Sequence, residues 1–225
     1  MNALALPLPV ICLITNRHAL APDARTIDDE IAALEEQVDL AVAGGVNLIQ
    51  VRERDLDARD LTRLVARLIQ QMRGHARLVV NDRADVALAA GADGVHLRAD
   101  GPAADQVRPL APPDWIVGRS IHLEAEARRF TAEDYLIFGT VFPSRSKPAG
   151  SPVAGVDALA DAAVLASVPV LAIGGVTPER AAACRDAGAA GIAAIELFLP
   201  PGRMPGARGP RAAAAALLAA WISGS

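Results

Sequence analysis

Short, almost wholly apolar runs alternate along the chain with longer segments rich in alanine, leucine and arginine, and the alternation persists to the end. The runs span residues 10–15, 48–52, 78–81, 94–97, 115–120, 135–142, 170–173 and 191–195. Runs this short and this apolar read as parallel strands buried on both faces. Between them lie helical segments at 27–43, 58–72, 82–90, 103–110, 123–130, 156–166, 178–187 and 211–222. The first opens on Asp28 and Asp29 and stops at Gly44-Gly45, a helix terminator. The second places Leu61, Leu64, Val65, Leu68 and Ile69 on one face at helical spacing.

Strict strand–helix alternation predicts right-handed crossovers and a parallel sheet. Eight such units in 225 residues predict a single α/β domain, a closed (β/α)₈ TIM barrel over residues 1–225. The alternative, an open doubly wound sheet, carries a glycine-rich turn after its first strand. Here that strand runs into Thr15-Asn16-Arg17-His18. No linker divides the chain. Residues 1–8 read as a flexible extension, and the Pro/Gly stretch 200–210 as a loop before the last helix. The stretch KPAGSPVA at 147–154 reads as a loop on the active face, able to serve as a lid.

Composition changes this picture little. The hydrophobic fraction is 52%, but no run approaches the roughly 18–20 apolar residues of a spanning helix. There is no basic n-region or cleavage site at the start. Two distant cysteines, Cys12 and Cys184, make no disulfide framework. A net charge of −4 offers no basic field for nucleic acid. The expectation is a soluble cytoplasmic protein acting on small molecules, without nucleic acid or membrane; the number of subunits, a homo-oligomer included, stays open. Of 22 cationic side chains only Lys147 is a lysine.

In a barrel, catalytic groups gather at the C-terminal ends of the strands. Those ends carry Gln50, Arg52 and Arg54; Asn81 and Asp82; His96; Ser120 and His122; Ser144, Ser146 and Lys147; Gly174-Gly175; and Glu196. Each has a plain structural alternative. Gln50 and Arg52 suit a polar barrel interior, Asn81-Asp82 suit a helix cap, His96 suits a packed histidine, and Gly174-Gly175 suit a tight turn. Taken together they describe a site for a strongly anionic ligand. Hydroxyls and cations at 144–147 supply donors from several directions, with a solvated surface loop as the plain alternative; glycine amides suit a phosphate, and Asp82 among cations suits a bridging Mg²⁺.

The ordered segments IQVRER, VVNDRADVALAAGADGVHL, VGRSIH, DYLIFGTVFPSRSK and PVLAIGGVTPERAAACRDAGAAGIA resemble the thiamine phosphate synthase and thiazole tautomerase superfamily, from about Val10 to Phe198. The resemblance implies a Mg²⁺-dependent transferase of thiamine biosynthesis that joins hydroxymethylpyrimidine diphosphate to a thiazole phosphate and releases pyrophosphate. It assigns Gln50, Arg52, Arg54 and Asn81 to the diphosphate and Asp82 to the metal. Ser120 falls near the leaving group, Ser144, Ser146 and Lys147 fall on a hydroxyl-and-lysine stretch, and Gly174 and Gly175 on the thiazole phosphate. Two positions depart from that pattern. The loop after His96-Leu97 reads Arg98-Ala99-Asp100, so Asp100, the candidate second metal ligand, stands one place early. Glu196 stands where the family has a phosphate-binding serine. Two alternatives follow: a tautomerase using His122 as proton shuttle, and a barrel that binds a phosphorylated ligand without turnover.

Overall fold

A computed structural model describes residues 7–144, 150, 152–203 and 206–223. Eight parallel strands close into a barrel in sequence order, with β8 pairing back onto β1. They are β1 (Val10–Ile14), β2 (Leu48–Val51), β3 (Arg77–Asn81), β4 (Gly94–Leu97), β5 (Ile116–Ile121), β6 (Tyr135–Phe138), β7 (Val170–Ile173) and β8 (Gly191–Ala194).

Because successive strand residues point to opposite faces, the barrel separates two cores. Val10, Cys12, Ile14, Leu48, Val79, Ile116, Tyr135, Ile137, Leu171 and Ala193 fill the interior. The alternate residues, such as Ile11, Leu13, Ile49, Val80 and Val95, pack outward against the helices. The same parity carries Gln50, Asn81, His96 and Ser120 to the interior face near its C-terminal mouth. Close strand approach needs glycine at Gly118, where a Cβ would lie 2.1 Å from the Tyr135 ring.

The helical layer comprises α1 (Arg17–Leu20), α2 (Ile27–Ala43), α3 (Ala58–Met72), α4 (Ala84–Ala90), α5 (Ala104–Val107), α6 (Gly155–Leu165), α7 (Pro178–Asp186) and α8 (Pro210–Ile222). Helix α2 has the bounds its sequence predicts, fixed by a Thr26–Asp29 capping box. Four expectations are corrected. Helix α4 starts at Ala84, because Asp82 adopts a left-handed φ of 60° that no helix can include. Residues 103–110 split into α5 and a 3₁₀ turn, Arg108–Leu110, where Pro109 interrupts the backbone ladder. In place of a helix at 123–130 there is a 3₁₀ turn, Glu124–Arg128. The Glu126 carboxylate draws it tight by accepting from the His122 and Leu123 amides. β6 ends at Phe138 rather than 142, just before a cis Gly139–Thr140 peptide. Pro7, within the expected flexible start, is tied down by Asn47, whose Nδ2 donates to the Pro7 and Pro9 carbonyls. Among the described residues no helix is long and apolar enough to cross a membrane.

Candidate active site

A cleft of about 870 Å³ opens at the C-terminal mouth of the barrel. Its walls include Gln50, Arg52, Arg54, Asn81, Arg98, Asp100, Ser120, His122, Ser144, Gly174, Gly175 and Glu196. The strand ends therefore bring most of the residues singled out in the sequence to one place. Arg145, Ser146 and Lys147 lie outside the described residues, as do residues 148, 149 and 151 of the expected lid.

On the β2–β3 side, Gln50 Nε2 donates to Asn81 Oδ1 at 2.9 Å, and Asn81 Nδ2 donates to Asp82 Oδ2 at 3.0 Å. Both amides are buried, so each hydrogen bond fixes a rotamer as well as satisfying a polar atom. Arg52 and Arg54 follow on the β2–α3 loop. Burial, then the neighbouring Arg54, depress the Arg52 guanidinium's affinity for its proton, while Glu53 and Asp82 counteract this. Two adjacent cations, one of them half-buried, favour an anionic ligand.

That loop is anchored by a group the sequence reading passed over. Arg17, only 4% exposed in its side chain, donates to Glu53 Oε2 at 3.1 Å, to Glu30 Oε2 at 2.7 Å and to both oxygens of Asp55. Its backbone amide also donates to the Glu53 carboxylate. Glu53 and Asp55 thus face Arg17, which leaves the alternating Arg52 and Arg54 for the cleft. A charged residue three positions past the end of β1 was the available signal.

Asn81-Asp82 do not cap α4. Its N-cap is Arg83, with no side-chain cap bond. Instead the kink at Asp82 turns the carboxylate toward the β4 loop, where Oδ1 accepts from the Arg98 amide at 3.0 Å. Asp100 is exposed, and it meets Asp82 only through the Arg98 guanidinium, 3.3 Å from Asp82 Oδ2 and 3.5 Å from Asp100 Oδ1. No group of three or more His, Cys, Asp or Glu converges among the described residues. A cation here would draw the rest of its shell from water and ligand oxygens, which is how Mg²⁺ binds with phosphates. Asp82, with Asp100 beyond it, fits that requirement.

His96 is both packed and connected. Its Nδ1 lies 3.0 Å from the Tyr135 hydroxyl and its Nε2 2.9 Å from Ser120 Oγ. Burial, and secondarily the charge of Arg119, lower its pKa from 6.5 to about 3, so it is a neutral imidazole that orients Ser120. His122 differs. Its Nδ1 is 2.8 Å from the Gly139 carbonyl oxygen, which can only accept, so Nδ1 carries a proton and the ring's Nε2 edge is not used in that bond.

Across the mouth, Gly174 and Gly175 adopt φ of 96° and 59°. A Cβ would lie 2.4 Å from Thr140 Cγ2 at the first and 2.3 Å from the Pro143 carbonyl oxygen at the second. Neither position accepts a side chain, so bare backbone lines the cleft here, beside the first turn of α7. Glu196 sits beyond the adjacent end of β8. Its Oε1 is buried without a hydrogen-bond partner among the described residues.

Comparison with known proteins agrees with this geometry. A family model described as thiamine monophosphate synthase matches residues 17–198. The chain is 43% identical over 190 residues to a thiamine-phosphate synthase of Anaeromyxobacter dehalogenans, covering 84% of this chain and 83% of that one. It is 36% identical to a thiamine-phosphate synthase of a Roseiflexus species over 95% of this chain and 86% of the other. The solved thiamine phosphate pyrophosphorylase of Pyrococcus furiosus superimposes with a TM-score of 0.77 at 30% identity, over 96% of each chain. A barrel of this topology, with these residues at its mouth and these relatives along its length, belongs to the thiamine monophosphate synthase family.

Proposed function

We propose that the chain joins hydroxymethylpyrimidine diphosphate to a thiazole phosphate, giving thiamine phosphate and pyrophosphate. The observation that supports this reading is that donors suited to anions line two separate sides of the mouth. Gln50 on β2, Asn81 on β3 and Arg52 and Arg54 on the loop after β2 form one side, while Gly174 and Gly175 follow the end of β7, which lies opposite β3 in a closed eight-stranded barrel. Two phosphorylated substrates can then meet over the barrel axis.

The C–O bond to the diphosphate breaks with its electron pair leaving on pyrophosphate, and the thiazole nitrogen's lone pair forms the new C–N bond. No proton need move in that step. The chain's contribution is positive charge and fixed donors where charge develops on the leaving group. Arg52 and Arg54 supply the charge, Gln50 and Asn81 hold one another in place, and Ser120, oriented by neutral His96, presents a hydroxyl. Asp82, with Asp100, would hold Mg²⁺, which when bound neutralises diphosphate charge. Ser144, Ser146 and Lys147 belong to the same reading through the family resemblance.

The test is direct: incubation with both substrates and Mg²⁺, with thiamine phosphate and pyrophosphate as the products sought. Excess EDTA, or Asp82→Ala, should reduce turnover by several orders of magnitude; full activity in EDTA would overturn the metal assignment. One observation favours a second reading. His122 lines the cleft with Nδ1 bonded to the Gly139 carbonyl, so its Nε2 would be the nitrogen to exchange a proton with a bound thiazole, as a tautomerase requires. His122→Ala should spare much of the coupling activity if the first reading holds. Thiazole isomerisation that depends on His122, in a parent showing no coupling, would reverse the order.

A further inference from the structure

Arg98 occupies an unusual place among the cations of the cleft. Its guanidinium bridges Asp82 and Asp100, carboxylates on two different loops, through Nε at 3.3 and 3.5 Å. Its backbone does not depend on these pairs. Arg119, itself held by Glu133 at 2.6 Å, donates to the Arg98 carbonyl at 2.8 Å and also to the Pro102 carbonyl. The Arg98 amide donates to Asp82. The loop is pinned by these backbone bonds, while the side chain is 55% exposed and held by the two ion pairs given above.

Exposed ion pairs at such distances are weak. A diphosphate lying against Arg52 and Arg54 carries more charge, and its oxygens match the planar guanidinium fork. We propose that Arg98 is a further diphosphate-binding residue, parked on Asp82 and Asp100 in the free protein. Arrival of the diphosphate draws the guanidinium onto phosphate oxygens and releases both carboxylates to a divalent cation. The proposal rests on the reading of the β2–β3 side as a diphosphate site. Its consequence is coupling. Without diphosphate, Arg98 competes with the metal; with diphosphate, the competition is removed, and linkage makes the effect reciprocal.

Removing the guanidinium should therefore have effects of opposite sign on the two ligands, which a merely structural arginine would not produce. Mn²⁺ binding, followed by the electron paramagnetic resonance of free Mn²⁺, is compared for the parent and Arg98→Gln without pyrophosphate. Inorganic pyrophosphate binding at saturating Mg²⁺ is measured by calorimetry on the same two proteins. Arg98→Gln should bind Mn²⁺ about tenfold more tightly, yet bind pyrophosphate about tenfold more weakly. Arg98→Lys keeps the charge but loses the fork, and should fall between them. Mn²⁺ affinity that is unchanged or weaker in Arg98→Gln overturns the proposal, as does unchanged pyrophosphate affinity. If the parent binds no pyrophosphate with Mg²⁺, the diphosphate reading itself fails; if the parent binds and the variant matches it, only the role of Arg98 fails.

Discussion

Arg17 shows how far from the ligand a site can be set. One buried guanidinium compensates Glu53, which is 4% exposed, and fixes Asp55 and Glu30 beside it. Removing one partner of a buried pair leaves an uncompensated charge, typically costing about 3–5 kcal/mol. Arg17→Met should therefore lower stability by roughly that amount, as read by denaturant unfolding. A loss below about 0.5 kcal/mol, the ordinary surface value, would mean the cluster is a solvated network. His96 makes a second residue-level prediction. Its folded pKa, about 3, lies below its ordinary 6.5, so below pH 6.5 the unfolded chain binds a proton that the folded chain refuses. Its contribution is fully present above pH 6.5 and is lost as pH falls toward 3, by up to about 1.4 kcal/mol per pH unit. His96→Gln should flatten the acid limb of a stability–pH curve over that window; an unchanged slope would mean that His96 is protonated in the folded state.

At the scale of elements, the turn from β7 into α7 is the part least able to accept substitution. Gly175 has a left-handed φ, and a Cβ there would collide with the Pro143 carbonyl. The colliding atom is backbone, so relief requires the loop after β6 to move, and that loop carries Ser144 into the same cleft. Displacement of about 1 Å at a site can cost roughly 100-fold in rate. Gly175→Ala should thus raise the KM for the thiazole phosphate and lower kcat together, while kinetics within twofold of the parent would show that the turn only connects elements. The β5–β6 connection teaches the complementary lesson. Its leucine, alanines and arginines have helical composition, yet Glu126 bonds to the two amides just before it and holds the segment as a 3₁₀ turn.

The whole molecule binds its ligands across elements distant in sequence, so occupancy should stabilise the barrel as a unit. Pyrophosphate with Mg²⁺ at about 100 times its Kd adds about 2.7 kcal/mol. For a chain of this size that corresponds to an increase of about 5–10 °C in Tm. The same salt without divalent metal should give a much smaller shift. Equal shifts with and without metal would argue against a metal-assisted diphosphate site.

Fold class was legible because a strand buried on both faces must be almost wholly apolar, and eight such runs alternate with helix-forming segments. Most strand-end residues were legible for a related reason: polar side chains directly after apolar runs have few places to go except the barrel mouth. The bonds among them were not legible. The Gln50–Asn81 and His96–Ser120 hydrogen bonds join residues 31 and 24 positions apart, and local pattern carries no information about which strands become neighbours at a given register. Arg17 escaped for the same reason, since its partners Glu53 and Asp55 lie 36 and 38 residues away. The sequence likewise placed Asp82 at the start of a helix, because Asp before an alanine-rich segment suits a helix N-terminus. Tertiary structure moved it out, since the left-handed kink aims the carboxylate at Arg98. Chain pattern determined the barrel and which residues reach its mouth; only closure of the barrel decided which carboxylate meets which cation.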